Sequence, residues 1–216
     1  QSRPPSPRAC DMLAPARRAR RAAHRMSQAS SSVPNPAIAY AVLSDLPREL
    51  GPILLCANAQ GLTTVQFART ADSRGDLADF AVEPTPSWQR SDTHPVLDQA
   101  LTQLRQYFVG QRQVFQLPLA AHGTAFQARV WDELIRIPYA TTTTYQRIAE
   151  SLGQPSASRA VGLANGRNPL GIIVPCHRVI GSSGQLTGYA GGLTRKRLLL
   201  DLEQRHGGSV LSFAWP

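Results

Sequence analysis

The side chains with the clearest capacity for chemistry are a cysteine and a histidine that are adjacent in the sequence. Cys176 and His177 lie in the apolar stretch 172–180, between Pro175 and Arg178. A cysteine reacts as its thiolate, which a nearby base or positive charge favours, and His177 and Arg178 offer both. The pair predicts a nucleophilic thiol. A buried structural cysteine beside an unrelated histidine is the alternative.

The stretch that carries this pair is predicted to be a short buried strand or strand-like segment. Branched aliphatic residues lie on both sides of the pair, and apolar runs of this length are typical of buried strands. Pro175 fixes one backbone angle and lacks an N–H, so we expect the nucleophile to lie at a rigid break rather than inside a hydrogen-bonded ladder.

The sequence on both sides of this stretch closely resembles one protein family. Ala-Asn-Gly-x-Asn-Pro at 164–169 precedes Pro-Cys-His-Arg-Val at 175–179, and Gly-Tyr-Ala-Gly-Gly at 188–192 follows. The combination resembles the O6-alkylguanine-DNA alkyltransferases, also called methylated-DNA–protein-cysteine methyltransferases. The resemblance is dense over 124–203 and loose over 37–114.

The resemblance implies DNA repair by direct reversal of damage in double-stranded DNA. The alkyl group on guanine O6 lies within the duplex, so the base must be flipped out before a protein thiol reaches it. The resemblance further implies irreversible transfer of that group to Cys176. A thioether is a poor leaving group, so each molecule should act once, without a cofactor. O4-alkylthymine stays open as a second substrate.

The resemblance also assigns roles to individual residues. Glu203 would orient His177, and His177 would deprotonate Cys176 through a water molecule. Asn168 would tie the DNA-binding helices to the active-site segment by hydrogen bonds. The other positions implied are substrate-binding Tyr145, Val179, Tyr189 and Ala190, and DNA-binding Arg159, Gln146, Gln154 and Ser182.

Residues 124–206 are predicted to form a mainly α-helical domain with a helix-turn-helix. Apolar spacing predicts one helix that begins at about 124 and is stopped by Ile137-Pro138, a second from 144 to Gly153, and a third from 157 to about 165, capped by Ser156. The third helix carries small side chains and one long cation, Arg159. This favours close approach to a DNA minor groove over base reading in the major groove. Packing against another helix is the alternative.

Residues 37–118 are predicted to form an α/β domain that serves as a scaffold. Strands are expected at 37–43, 53–57 and 62–68, with a hairpin turn at 58–61, and a final strand at 114–118. Residues 70–93 have the composition of a loop. A helix begins near Pro95 and ends at Gly110. By resemblance this domain is ribonuclease-H-like.

The composition of the chain bears on metal binding, cellular location and the two ends of the sequence. The three scattered cysteines, Cys10, Cys56 and Cys176, form neither a disulfide framework nor a zinc site, so we expect no metal and a cytoplasmic protein, or a nuclear one in a eukaryote. Residues 1–25 hold seven arginines and one aspartate of a chain with net charge +9. The region 1–36 is predicted to be a disordered basic tail, and 207–216 a C-terminal tail. A nucleic-acid-binding arm, a transit peptide and an adventitious extension all stay open.

Three other functions compete with this interpretation. A lesion-binding alkyltransferase-like protein flags damage without repairing it, but such relatives lack the acceptor cysteine, and Cys176 is present. A cysteine hydrolase would turn over esters or amides and would need an oxyanion hole. A helix-turn-helix regulator would bind a specific duplex sequence as a dimer, whereas we expect a monomer.

Overall fold

The structure is a computed structural model that describes residues 38–82, 88–91 and 93–207. The predicted tail at 1–36 and residues 208–216 lie outside the described residues. None of the helices within these described ranges is long and apolar enough to cross a membrane. The strands are β1 (Ile38–Leu43), β2 (Ile53–Asn58), β3 (Gly61–Phe67), β4 (Trp88–Arg90), β5 (Thr143–Thr144) and β6 (Val179–Ile180). The helices are α1 (Pro95–Phe108), α2 (Ala125–Ile135), α3 (Tyr145–Ser151), α4 (Ser158–Gly166) and α5 (Leu193–His206).

The N-terminal sheet is built around β2, which is buried along its whole length. β2 pairs antiparallel with β1 and β3, and β4 pairs in parallel with β1, giving the order β3-β2-β1-β4. Ile53 and Leu55 face the main core beneath α1, whereas Leu54 and Cys56 face a smaller cluster around Phe80. A strand that is apolar on both faces therefore holds the helix on one side and the 70–82 segment on the other.

The predicted hairpin turn between β2 and β3 is confirmed. Oδ1 of Asn58 accepts hydrogen bonds from the backbone N–H groups of Gln60 and Gly61 at 2.8 and 3.1 Å, which closes the turn. Gly61 has a φ of 150°, and a Cβ atom there would lie 2.4 Å from the carbonyl oxygen of Pro118. The position therefore requires glycine.

Residues 70–93 are not a loop throughout, contrary to the prediction. A 3₁₀ turn spans Leu77–Asp79, and β4 extends the sheet at its β1 edge. Three residues at the edge of a sheet are too few to produce the alternating pattern by which a strand is recognised.

Residues 114–118 do not form the predicted final strand. The side chain of Gln103 on α1 accepts from the N–H of Gln116 at 2.8 Å and donates to its carbonyl at 3.0 Å. Pro118 has no N–H to offer to a neighbouring strand. The segment therefore reaches the sheet through an isolated bridge between Leu62 and Leu119.

The three helices predicted after residue 124 are confirmed, with a different start for the third. The hydroxyl of Thr124 accepts from the N–H of Gln127 and caps α2. α3 and α4 enclose a tight turn at Gly153, whose φ is 71°. Ser156 is not the predicted cap, because it lies in a 3₁₀ turn at Pro155–Ala157 and α4 begins after it. Proline favours the first position of a helical turn, which moves the start of this turn ahead of Ser156.

The two halves of the chain are hydrogen-bonded to each other just before the reactive cysteine. Val65 in β3 donates its N–H to the carbonyl of Pro169 at 2.7 Å and accepts from the N–H of Gly171 at 2.9 Å. Side chains from both halves also share the larger hydrophobic core. The N-terminal sheet therefore fixes the segment that leads to Cys176.

A buried arginine on α5 joins the same two halves. Arg195 donates to the carbonyl oxygens of Leu50 and Ala68 at 2.6 and 2.7 Å, and to that of Gly191 at 3.3 Å. Its guanidinium also lies 4.9 Å from the ring centre of Phe67. One side chain thus connects the start of α5, the glycine loop before it and the N-terminal sheet.

Replacing Arg195 with methionine should lower the free energy of unfolding by about 2–4 kcal/mol, because buried carbonyl groups lose their donors. Urea denaturation measures this loss. Arg205→Met is the matched control, since Arg205 lies in the same helix and its Nε donates to the carbonyl of Asp201 at 3.1 Å in an exposed position. Equal losses in the two variants would contradict the proposed connection.

Candidate active site

Cys176 begins a short 3₁₀ helix, Cys176–Arg178, and does not lie in a strand. The prediction of a buried strand is therefore wrong for 172–180, apart from the two residues of β6. Ile172 has a φ of 70°, and Pro175 offers no N–H, so the chain turns instead of extending. The cysteine sits at a break in the backbone and is 5% exposed.

Glu203 on α5 is a fully buried carboxylate that binds four groups. Nε2 of His177 and the hydroxyl of Tyr107 lie 2.9 and 2.8 Å from its Oε1 atom. The guanidinium of Arg178 contacts both carboxylate oxygens at 2.8–3.2 Å, and the N–H of Ala140 donates to Oε2 at 3.1 Å. The carboxylate thus connects α1, the loop before β5, the active-site turn and α5.

The tautomer of His177 follows from the charge of Glu203, and its neutral state follows from burial. Burial alone would raise the pKa of the Glu203 carboxyl, but His177 and Arg178 outweigh it and lower that pKa to about 2. A carboxylate can only accept hydrogen bonds, so Nε2 of His177 carries the hydrogen and Nδ1 is an acceptor. Burial lowers the pKa of His177 despite the attraction of Glu203, which favours a neutral imidazole at pH 7.

The surroundings of Cys176 favour the uncharged thiol before reaction. Burial raises its pKa above the ordinary value, although the Asn168 side chain, the charge of Lys196 and two backbone N–H groups act in the opposite direction. A thiol in this state needs a base when it reacts. The neighbouring imidazole of His177 is favoured in its neutral form, which can accept the thiol proton.

Lys196, which the sequence reasoning missed, is fully buried beside this site. Its Nζ donates to the carbonyl oxygens of Val179 and Thr187 at 2.6 and 2.7 Å. Burial lowers its pKa to about 8, while a charge on Cys176 would raise it. The two bonds hold β6 against the loop that carries Tyr189. Being the only lysine of the chain is the signal that could have identified it.

Arg178 does not lie against the thiol as a positive charge, contrary to the prediction. Its guanidinium binds Glu203, donates to the carbonyl of Ile137 at 2.7 Å and lies 5.6 Å from the ring centre of Tyr139. Tyr107 was missed as well. It lies 96 residues before Glu203, and in the sequence it fits the apolar face of α1.

Asn168 connects the end of the helix-turn-helix to the active-site turn. Its Nδ2 donates to the carbonyl of Val174 at 2.8 Å, and its Oδ1 accepts from the N–H of Leu170 at 3.0 Å. Nδ2 of the nearby Asn165 lies 3.5 Å from the carbonyl oxygen of Cys176. Two asparagines that follow or end α4 thus bond the backbone on both sides of Pro175.

A cavity of about 330 Å³ opens onto the thiol between the two halves of the chain. Its lining includes Cys176 and three other residues that the sequence singled out, Asn168, Tyr189 and Ala190. β3 supplies the opposite wall through Thr64, Val65, Gln66 and Phe67. In the described ranges no cluster of three or more His, Cys, Asp or Glu side chains could hold a metal ion.

A groove of about 530 Å³ lies on the helix-turn-helix side of the site. It brings together four of the residues that the sequence singled out, Tyr145, Gln146, Arg159 and Ser182. The hydroxyl of Tyr145 donates toward the carbonyls of Thr187 and Gly188 at 3.3 and 3.5 Å. Gln154 is exposed outside the lining of this groove, at the start of the 3₁₀ turn before α4. Val179 is fully buried and lies outside the linings of both the cavity and the groove, with its carbonyl oxygen bound to Lys196.

Comparison with known proteins agrees with this architecture. The family model of the 6-O-methylguanine DNA methyltransferase DNA-binding domain matches residues 125–205, and the model of the ribonuclease-like domain of the same methyltransferase matches residues 41–121. The predicted fold class, an α/β ribonuclease-like domain followed by a mainly α-helical domain, is confirmed.

Similar proteins and structures carry the same family name. The methylated-DNA–protein-cysteine methyltransferase of Methanosarcina acetivorans is 47% identical over 154 residues, 71% of this chain and 92% of that protein. Its counterpart in Mycobacterium leprae is 46% identical, over 72% of this chain and 87% of that protein. The crystal structure of Mycobacterium tuberculosis OGT in complex with DNA matches with a TM-score of 0.65 and 41% identity, covering 78% of this chain and 94% of that one. The chain therefore belongs to the 6-O-methylguanine DNA methyltransferase family.

Proposed function

We propose that this protein repairs double-stranded DNA by transferring an alkyl group from the O6 atom of a flipped guanine to the sulfur of Cys176. One observation carries the proposal: a thiol that lines a cavity is adjacent in the sequence to an imidazole that contacts a buried carboxylate, in the half of the chain that contains the helix-turn-helix. The names of the relatives and of the DNA complex support the same activity.

His177 acts as the base in this proposal. Its Nδ1 is buried and accepts no hydrogen bond from the described residues, while Nε2–H is directed at Glu203. A water molecule between Nδ1 and the sulfur would carry the thiol proton to the imidazole. The thiolate then attacks the alkyl carbon, the C–O6 bond breaks, and its electron pair leaves with the guanine, which takes up a proton. Asn168 keeps the active-site turn in place through Val174.

The groove and the cavity would bind different parts of the substrate. The groove residues Arg159, Gln146 and Ser182, together with the exposed Gln154, would contact DNA, and Arg159 would occupy the space left by the flipped base. The residues proposed to bind the base are Tyr145, Val179, Tyr189 and Ala190. Lys196 and the carbonyls of Val179 and Thr187 hold that part of the wall in position.

The alternative of lesion binding without transfer is disfavoured, because Cys176 occupies the acceptor position and lines the cavity. The thioether product has no residue proposed to cleave it, so each molecule is used once. We also propose that the chain divides into domains at 37–118 and 124–206, and that it acts as a monomer in the cytoplasm, or in the nucleus of a eukaryote.

Incubation with a duplex that contains O6-methylguanine should add one methyl group per molecule, at Cys176. Peptide mass spectrometry measures both the stoichiometry and the site. Cys56 is the internal control thiol, since it is fully buried in β2 and burial raises its pKa to about 12. Cys176→Ala should still bind the duplex and acquire no methyl group. More than one methyl per molecule, or methylation of Cys56, would overturn the proposal.

Base flipping and chemistry should separate in two variants. Arg159→Ala should slow transfer from duplex DNA by up to about two orders of magnitude, because unstacking costs a few kcal/mol, but should barely affect free O6-benzylguanine. Glu203→Gln should slow both reactions, because the base is needed in both.

Arg147→Ala is the matched control for Arg159→Ala. It removes the same charge from α3 of the helix-turn-helix, but Arg147 lines a different depression, with Glu133 and Pro138. Single-turnover rate constants on both substrates are compared. Equal slowing of both substrates by Arg159→Ala would assign Arg159 to the pocket and contradict its role in flipping.

The pH profile should distinguish the proposed base from a preformed thiolate. Burial lowers the pKa of His177 and raises that of Cys176, so the imidazole is neutral and the thiol protonated between these values. Transfer from free O6-benzylguanine should therefore be constant across neutral pH and fall only in acid, as His177 becomes charged. A rate that rises steadily through pH 8 and beyond would mean that the thiolate forms without His177.

A further inference from the structure

Tyr107 of the N-terminal sheet domain reaches the active-site carboxylate directly. Its hydroxyl donates to Oε1 of Glu203 at 2.8 Å, and both side chains are fully buried. The same oxygen atom accepts from Nε2 of His177 at 2.9 Å. A residue of α1 and the histidine next to the reactive cysteine therefore share one acceptor atom.

The ring of Tyr107 and its hydroxyl group need separate explanations. The ring packs against aromatic neighbours, with ring centres 5.4 Å from Phe108, 5.5 Å from Phe115 and 6.1 Å from Tyr139. Phenylalanine would make these contacts equally well. The hydroxyl is a polar group buried at a cost, and its contact with Glu203 offsets that cost. Core packing accounts for the ring but not for the hydroxyl.

The hydroxyl is not needed to keep Glu203 charged. The charged or titratable groups that interact with Glu203 are Tyr107 from α1, His177 and Arg178 from the active-site turn, Tyr139 from the loop before β5, and Tyr189 from the loop before α5. Arg178 already binds both oxygens of the carboxylate. A carboxylate whose two oxygens are spanned by a guanidinium can rotate to suit that partner, at the expense of the histidine. The N–H of Ala140 holds Oε2, and Tyr107 adds a donor from the opposite domain on Oε1, the oxygen that His177 contacts, which opposes this rotation.

We infer that Tyr107 is a positioning residue for alkyl transfer, through which the N-terminal domain fixes the carboxylate oxygen that orients His177. The inference rests on the proposed function. It extends the role of the N-terminal domain beyond that of the scaffold expected from its sequence, because docking of α1 completes the hydrogen bonds of the active site. Transfer should therefore depend on a hydroxyl that neither the DNA nor the cysteine touches.

The test is the pH profile of transfer from free O6-benzylguanine, measured in single turnovers on the full chain. Tyr107→Phe should lower the rate constant at neutral pH roughly tenfold, the size expected for one hydrogen bond to a charged group. The acid limb should also move to higher pH, because Glu203 with one donor fewer attracts a proton on His177 more strongly. Lys196 and Arg178, the cations that act on His177, are unchanged in this variant.

Tyr139→Phe is the matched control. Tyr139 lies in the same aromatic group, but its buried hydroxyl has no hydrogen-bond partner among the described residues. This variant should change neither the rate constant nor the acid limb. Replacing Tyr107 with p-aminophenylalanine restores an N–H donor at the position of the hydroxyl. It should recover most of the lost rate and place the acid limb between those of wild type and Tyr107→Phe.

The outcomes separate the two proposals. Wild-type protein that transfers no alkyl group overturns the proposed function, and this inference with it. Active wild type with an unchanged rate constant and acid limb in Tyr107→Phe overturns the inference alone. A smaller reaction amplitude at an unchanged rate constant also overturns it, since that is the signature of partial unfolding. If Tyr107→Phe does not fold, the p-aminophenylalanine variant decides, because its amine N–H is a weaker donor than the phenol O–H and should still move the acid limb to higher pH. A wild-type rate constant and acid limb in that variant contradict the inference.

Discussion

The site depends on one buried carboxylate. Glu203 has no contact with solvent, and it is stable there only because four donor residues from three segments of the chain surround it. Its charge decides which nitrogen of His177 carries the hydrogen, and thereby which nitrogen can accept a proton from the thiol. A glutamine at this position could present its N–H₂ group to His177 and would no longer specify the tautomer.

The fold can be understood as the set of supports that this carboxylate requires. α5 carries Glu203 and two buried cations. Arg195 binds the carbonyl of Gly191 in the glycine loop, and Lys196 binds the carbonyls of Val179 in β6 and of Thr187. β3 holds the backbone before the cysteine, and α1 brings a hydroxyl to the carboxylate. The groove of the helix-turn-helix is thus backed by an interior in which hydrogen bonds from both halves of the chain hold the segments around the thiol.

The sequence predicted the parts of this arrangement that have a local signal. The three helices after residue 124, the hairpin turn at 58–61 and the reactive pair all follow from spacing or from adjacent residues. Tyr107 could not be predicted, because an aromatic residue on an apolar helix face gives no sign of its distant partner. The predicted partner of Arg178 was wrong for a similar reason. Its place in the sequence suggested that the guanidinium would lie beside the thiol of Cys176, whereas in the fold it binds the buried carboxylate of Glu203, an oppositely charged partner. The strand at 114–118 failed because a side chain, that of Gln103, took the backbone groups that a ladder would have used.

The most direct test of this account is the protonation state of His177, measured in the full chain by NMR from the ¹⁵N shifts of its ring. Burial is predicted to hold the imidazole neutral from neutral pH down to below the ordinary pKa of histidine, and Glu203 to place its hydrogen on Nε2 with none on Nδ1. In Glu203→Gln this tautomer should lose its dominance. An imidazole in wild type that carries hydrogen on Nδ1, or that is already charged at neutral pH, could not accept the thiol proton and would contradict the account.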